Sequence, residues 1–190
     1  AFVPDYRVNA TNDHSDAACP GRKENTSTLY KIPFIQVFQR ADSTACIGAL
    51  DGAIAEFRKR AAAHVGKHGS KTAEDVNAQF AVTEAMMASD ALKLVLFRNF
   101  AQVAANSRSG ATMPVEERLL QRAQSAAVPK ICCRHVDELL RATAASGCYK
   151  SNPIERFFRN IHQSRGHIAN NPDAYMRAHG TDLRAMSEAA

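Results

Sequence analysis

Along most of the chain, apolar residues return every three or four positions, the period of a helix with one buried face. Between about Pro33 and His64 the stripe holds Phe38, Ala45, Ala49, Gly52, Ala53, Phe57 and Ala61, which predicts a first helix. Glycine inside a helix costs about 1 kcal/mol relative to alanine. The small set Ala45, Gly48, Ala49 and Gly52 therefore predicts another helix packed unusually near. Gly66 and Gly69, beside His64, Lys67 and His68, predict its C-terminal cap. Val76, Phe80, Met87, Ala91, Leu94, Val95 and Ala101, with Thr83 filling the gap, predict a second helix from about Ala73 to Asn106. At ~1.5 Å per residue it would be on the order of 50 Å long, a length that belongs to bundles. Its large apolar side chains are expected in the core, with Met86 and Met87 filling irregular gaps.

Residues 115–145 predict a third helix, opened by Pro114 with Glu116 and Glu117 in the first turn. Leu119, Leu120, Ala123, Ala127, Ile131, Leu139 and Leu140 mark its apolar side, and Pro129 predicts a kink rather than a break. Ser146-Gly147-Cys148 ends it. A Ser151-Asn152-Pro153 corner then opens a fourth helix through Arg156, Phe157, Phe158, Arg159, His162 and Arg165 to His167, since proline after a capping asparagine starts a helix cleanly. Asn170-Asn171-Pro172 stops that run, and a short helix from Ala174 to about His179-Gly180 follows. Short connections make this an all-α, up-and-down four-helix bundle over residues 32–190 with an extra short C-terminal helix. Ahead of it lie a β-like run ending near Val8 and a polar loop over residues 9–29. With no methionine at position 1, the chain reads as a fragment or a processed product.

Composition narrows the classes of function. A chain of 190 residues, 45% apolar, can bury one real core. No apolar run approaches the roughly 18 residues needed to span a bilayer, so no membrane role is expected. The net charge of +5 is modest, and no basic stripe is interleaved with aromatics. An anionic ligand or simple solubility accounts for it better than nucleic acid does. Cys19, Cys46, Cys132, Cys133 and Cys148 are odd in number and lack zinc-type spacing, which points to reduced thiols in a cytoplasmic protein. Neighbouring residues on a helix point about 100° apart, so Cys132 and Cys133 are structural rather than a bridge or chelate. His162 and His167 are five apart and do not share a face, so no metal site is expected.

The stretch CYKSNPIERFFRNIHQSRGHIANNP, residues 148–172, resembles the C-terminal signature of two-component (group D) flavin-dependent monooxygenases built on the acyl-CoA dehydrogenase fold. Those proteins share the Asn-Pro corner, the arginine-rich helix and the late histidine. AFVPDYRV resembles the family's exit from its β-domain and LYKIP its entry to the helical domain, which would make residues 1–31 a β-domain remnant and linker.

The resemblance implies an enzyme that hydroxylates a small aromatic or phenolic substrate with dioxygen and reduced FMN or FAD, supplied by a separate flavin reductase. It makes His167 the active-site histidine, with His162 the second choice, because an imidazole can donate to the oxygenated site or accept the phenol proton. It places Ser146, Gly147, Ser151 and Asn152 near flavin or phosphate, where small residues and a helix start offer free N–H groups. Gln79 is similar to a position that reaches a neighbouring subunit's cofactor, and Arg159, with Arg156, could hold phosphate or ion-pair. A homotetramer is implied. The dehydrogenase branch needs a carboxylate base in the loop Cys148-Tyr149-Lys150-Ser151, where none stands. A helical oligomerisation module without catalysis is the competing class.

Overall fold

The computed structural model describes residues 2–8, 21–66 and 69–188. Most of the expected polar loop, Cys19, and the cap residues Lys67 and His68 lie outside the described residues. Five long helices follow one another: α1 (Arg40–Ala63), α2 (Val76–Ser109), α3 (Val115–Ala142), α4 (Pro153–Arg165) and α5 (Asp173–Glu188). The first four form the expected bundle and α5 lies across α3. Among the described residues the β-pairing is one antiparallel bridge between Val65 and Lys71. The β-like start carries a 3-10 turn at Asp5–Arg7 between extended Pro4 and Val8.

Helix ends fall where local chemistry puts them. The Asp75 side chain accepts from the Asn77 N–H at 2.8 Å to start α2, and Gly110 closes it at φ 73°, a left-handed value glycine adopts without strain. Helix α3 runs unbroken through buried Pro129. Three boundaries depart from expectation. The first helix is split, with a turn at Phe34–Phe38 before α1, and at the break the Ser125 hydroxyl of α3 donates to the Gln39 carbonyl at 3.3 Å. Its end comes at Ala63 with extended His64 as cap, while Gly69 at φ 79° serves the following loop. The last helix continues through Gly180 to Glu188.

The core gathers Leu50, Ala53 and Phe57 of α1, Ala81 and Ala85 of α2, Cys132, Val136 and Leu139 of α3, and Ile154 and Ile161 of α4. Gly52 is where α1 and α4 come closest: a Cβ there would sit 2.6 Å from the Phe157 ring. No neighbour lies within 4 Å of such an atom at Gly48, so one of the two glycines answers the expected tight contact. Cys46, Cys132 and Cys133 are buried and unbridged. Helix α5 is held by Arg122, whose guanidinium lies 4.5 Å from the Tyr175 ring centroid and donates to its hydroxyl at 3.1 Å.

Helix α2 reverses the expected orientation. Val76, Phe80, Met86, Met87 and Leu94 are all exposed, with Phe97 beside them, while Ala78, Ala81, Ala85, Ser89 and Leu92 are buried. Small residues face the bundle because its other helices lie close. The larger apolar side chains form a second, outward stripe. No described helix is long and apolar enough to cross a membrane.

Candidate functional site

Helix α4 carries or borders most of the residues singled out from sequence, and its two ends differ. At its start Asn152 is 1% exposed, with Oδ1 accepting from the Ile154 N–H at 3.1 Å and Nδ2 donating to the Ser146 carbonyl at 3.2 Å. Both arms of the amide are used inside the fold. The Ser146 hydroxyl donates to the Thr143 carbonyl at 2.7 Å. At Gly147 a Cβ would lie 2.5 Å from Thr143 Oγ1 and 2.9 Å from the Leu140 carbonyl, so the end of α3 fills the space that glycine was expected to leave for a cofactor. Ser151 is exposed in the turn.

Gln79 donates to the Ala73 carbonyl at 2.9 Å and borders a 210 Å³ cleft with Arg58 and Thr72. Ser146 borders a 290 Å³ cleft with Arg60, His64, Thr72 and Thr143. Arg159 is exposed and paired with Glu155 at 2.5 Å, one turn back on the same helix. His162 Nε2 lies 2.6 Å from Asp137 Oδ1, and its ring packs 4.3 Å from that of Phe158. That pair ties α4 to α3 and borders none of the cavities described here.

His167 lies past the helix, not on it. Helix α4 ends at Arg165, and His167 caps a 3-10 turn at Ile168–Asn170. Its backbone is held twice, by its N–H to the Ser164 carbonyl at 3.1 Å and by the Asn170 N–H to its own carbonyl at 2.9 Å. Buried Asn170 braces the same corner, donating to the Ser164 carbonyl at 2.8 Å, while its Oδ1 has no partner. The imidazole Nδ1 lies 3.1 Å from Asp42 Oδ2 of α1 and 3.3 Å from the Ala169 N–H.

Two adjoining cavities meet at this imidazole. One, of 620 Å³, is bounded by Asp42, Ala45, Cys46 and Ala49 of α1 and by Ile161, Ser164 and His167. The other, of 460 Å³, has Lys130, Arg165, Asn170 and Asp173 around it. Ala45 and Ala49, expected to admit a helix, instead leave the room that forms the first cavity. Burial pushes the Cys46 thiol up from its ordinary value, against the opposing effect of the Ser164 hydroxyl, with the Asp42 carboxylate adding a smaller upward push. Asp42, Cys46, Ser164 and Asn170 were not singled out from sequence. Asp42 stands in the first turn of α1, and nothing local in the sequence announces its partner.

Helices α1 and α4 run antiparallel, so the His167 cavity lies at the start of α1 and the Gln79 and Ser146 clefts at its end. About 16 residues of helix, roughly 25 Å, separate them. One set of expected site residues therefore falls into two places.

A long helical bundle with a ligand-sized cavity between its first and fourth helices defines the class to which this chain is assigned. Residues 41–172 match the acyl-CoA dehydrogenase C-terminal domain, and the chain belongs to that family. It is 29% identical over 184 residues to the oxygenase subunit HsaA of a flavin-dependent monooxygenase from Rhodococcus jostii, covering 95% of this chain and 48% of the relative. It is 28% identical to the oxygenase component of an FADH(2)-dependent resorcinol hydroxylase from a Rhizobium species, covering 91% of this chain and 45% of the relative. The crystal structure of 3-HSA hydroxylase from Rhodococcus superposes with a TM-score of 0.89 at 27% identity, over 97% of this chain and 48% of that one. The chain thus spans about half the length of the curated relatives it matches.

Proposed function

We propose that this chain is the C-terminal part of a flavin-dependent monooxygenase that hydroxylates a small aromatic or phenolic substrate, using dioxygen and reduced FMN or FAD from a separate reductase. One observation carries the reading: His167 borders a 620 Å³ cavity, within the usual range for small-ligand sites. The names of the relatives support it. Ala45, Ala49 and Ile161 offer an apolar wall to an aromatic ring, and Asp42, Ser164 and His167 gather the polar groups to one side. Asn170, which borders the adjoining cleft, has its Oδ1 buried without a donor.

Reduced flavin, when bound, would supply the activation of dioxygen. The residues of this chain do the rest. His167 meets the substrate hydroxyl and holds or takes its proton. The apolar wall keeps water from the reacting atoms. Gln79, with Arg58 beside it, and Arg60 and His64 of the cleft that Ser146 borders, would hold the phosphate of a flavin that belongs to a neighbouring subunit, which accounts for their distance from His167. The dehydrogenase alternative would use Asp42 as its base, since this carboxylate borders the cavity, but His167 already engages it.

The assembly we propose is a homotetramer, with the outward stripe of Phe80, Met87 and Leu94 on α2 packing on a second copy. Residues 1–31 would then continue from a preceding β-domain, with residues 32–190 as the helical domain. Buried free thiols accord with a cytoplasmic setting.

The test uses the full-length oxygenase with its reductase. His167→Ala is expected to slow hydroxylation at least tenfold and to divert reducing equivalents into hydrogen peroxide. Unchanged coupling between flavin oxidation and hydroxylated product would end the reading.

A further inference from the structure

We propose that Asp42 is a positioning residue that keeps the proton of His167 on Nδ1, leaving Nε2 as the proton acceptor. This rests on the reading of His167 as the residue that meets the substrate hydroxyl. The structure offers Nδ1 two partners that cannot be satisfied together. Asp42 Oδ2 lies 3.1 Å away as an ion-pair contact that is not aligned with the ring N–H, and since a carboxylate can only accept, a hydrogen bond to it requires a proton on Nδ1. The Ala169 N–H, at 3.3 Å, can only donate, so it requires Nδ1 bare.

Each partner selects one tautomer and so one chemistry at the other nitrogen. With Asp42 engaged, Nε2 carries a lone pair and can take a proton. With Ala169 engaged, Nε2 carries the hydrogen and can only donate. Among the described residues Nε2 has no partner. The hydrogen bond formed at Nδ1 in this structure is the one from the Ala169 N–H, but the Asp42 carboxylate is the nearer partner and carries a full charge, so a turn of the ring towards it exchanges one for the other and favours the acceptor form.

The backbone leaves this choice to the side chains. Bonds at Ser164 and Asn170 fix the main chain of His167, so the ring can turn but the corner cannot move. Asp42 comes from α1, a separate helix, and meets the ring at the edge of the cavity that both residues line. Other charged or titratable groups around the corner are Cys46 on α1, Lys130 on α3, Arg165 at the end of α4 and Asp173 at the start of α5. Cys46 is held protonated by burial.

The proton balance is simple. One proton passes from the phenol oxygen to Nε2, giving a phenolate and an imidazolium. The Asp42 carboxylate, 3.1 Å from Nδ1, faces that imidazolium and offsets its charge. No redox partner is needed for this step.

Two measurements on the full-length oxygenase test it. With nitrogen-15-labelled histidine, the neutral ring of His167 is expected to show a protonated Nδ1. Asp42→Asn, which no longer requires a donor, is expected to move the proton to Nε2 as the Ala169 N–H takes over. Asp42→Glu is expected to keep the native tautomer. In the second measurement, para-nitrophenol serves as a coloured probe of ionisation. Asp42→Asn is expected to lower the bound phenolate-to-phenol ratio roughly tenfold, the low end of the effect of a charge a few ångströms away.

An Nδ1 that is bare in the native protein, or a tautomer unmoved by Asp42→Asn, would overturn the role of Asp42. The underlying reading fails separately, if His167→Gln leaves both probe ionisation and hydroxylation coupling unchanged.

Discussion

The two ends of α4 are both asparagine corners, yet they are built for opposite purposes. At the start, Asn152 spends both arms of its amide, Ser146 and Thr143 are bonded to neighbouring carbonyls, and Gly147 exists because Leu140 and Thr143 leave no room for a side chain. At the finish, Asn170 leaves its oxygen unpaired and His167 stands half exposed with two competing partners. A corner whose polar groups are all consumed holds the fold. A corner with polar groups to spare beside a cavity can serve a ligand. The sequence motif looks alike at both places, and hydrogen-bond accounting separates them.

Mutations can break that contrast, most strongly at the first corner. Gly147→Ala drives a Cβ against the Leu140 carbonyl, which is backbone and cannot swing away. A loss of about 2 kcal/mol is expected, and Asn152→Ala, by removing a buried cap, is expected to cost a similar amount. Chemical denaturation measures both, and a change under about 0.5 kcal/mol in each would show that the corner is not structural. At the second corner His167→Gln is expected to change stability by no more than about 0.5 kcal/mol, because the exposed ring adds little packing. A large drop in denaturation midpoint would instead make His167 part of the scaffold.

The smallest effect concerns acid. Burial, with Arg134 nearby, lowers the pKa of His135 in α3 from its ordinary 6.5. Below that value the unfolded chain takes up a proton that the folded chain refuses, so stability falls as pH drops through 6.5 and towards the lowered pKa. His135→Gln is expected to flatten this part of the stability profile, and an unchanged slope would assign the acid sensitivity to other groups.

What could be read from the sequence was whatever is decided locally. The Asn152-Pro153 start of α4 and the Pro114 start of α3 follow from caps and backbone preference. The orientation of α2 did not follow, because periodicity finds an apolar stripe without saying what covers it. There the larger stripe faces outward and alanines face the core. His167 was legible as a residue but not as a geometry, since its partner Asp42 arrives from another helix. The separation of His167 from the cofactor candidates Gln79 and Ser146, at opposite ends of α1, was hidden for the same reason. Sequence order places Ser146 and His167 in one short region, and the antiparallel course of α4 carries them apart.

Cys46 sits in the wall of the cavity that would house the oxygen chemistry, yet burial keeps its sulfur protonated. Peroxide attacks thiolates far faster than thiols. Under the proposed function, any oxidant released into that cavity meets this sulfur in its slow-reacting, neutral form.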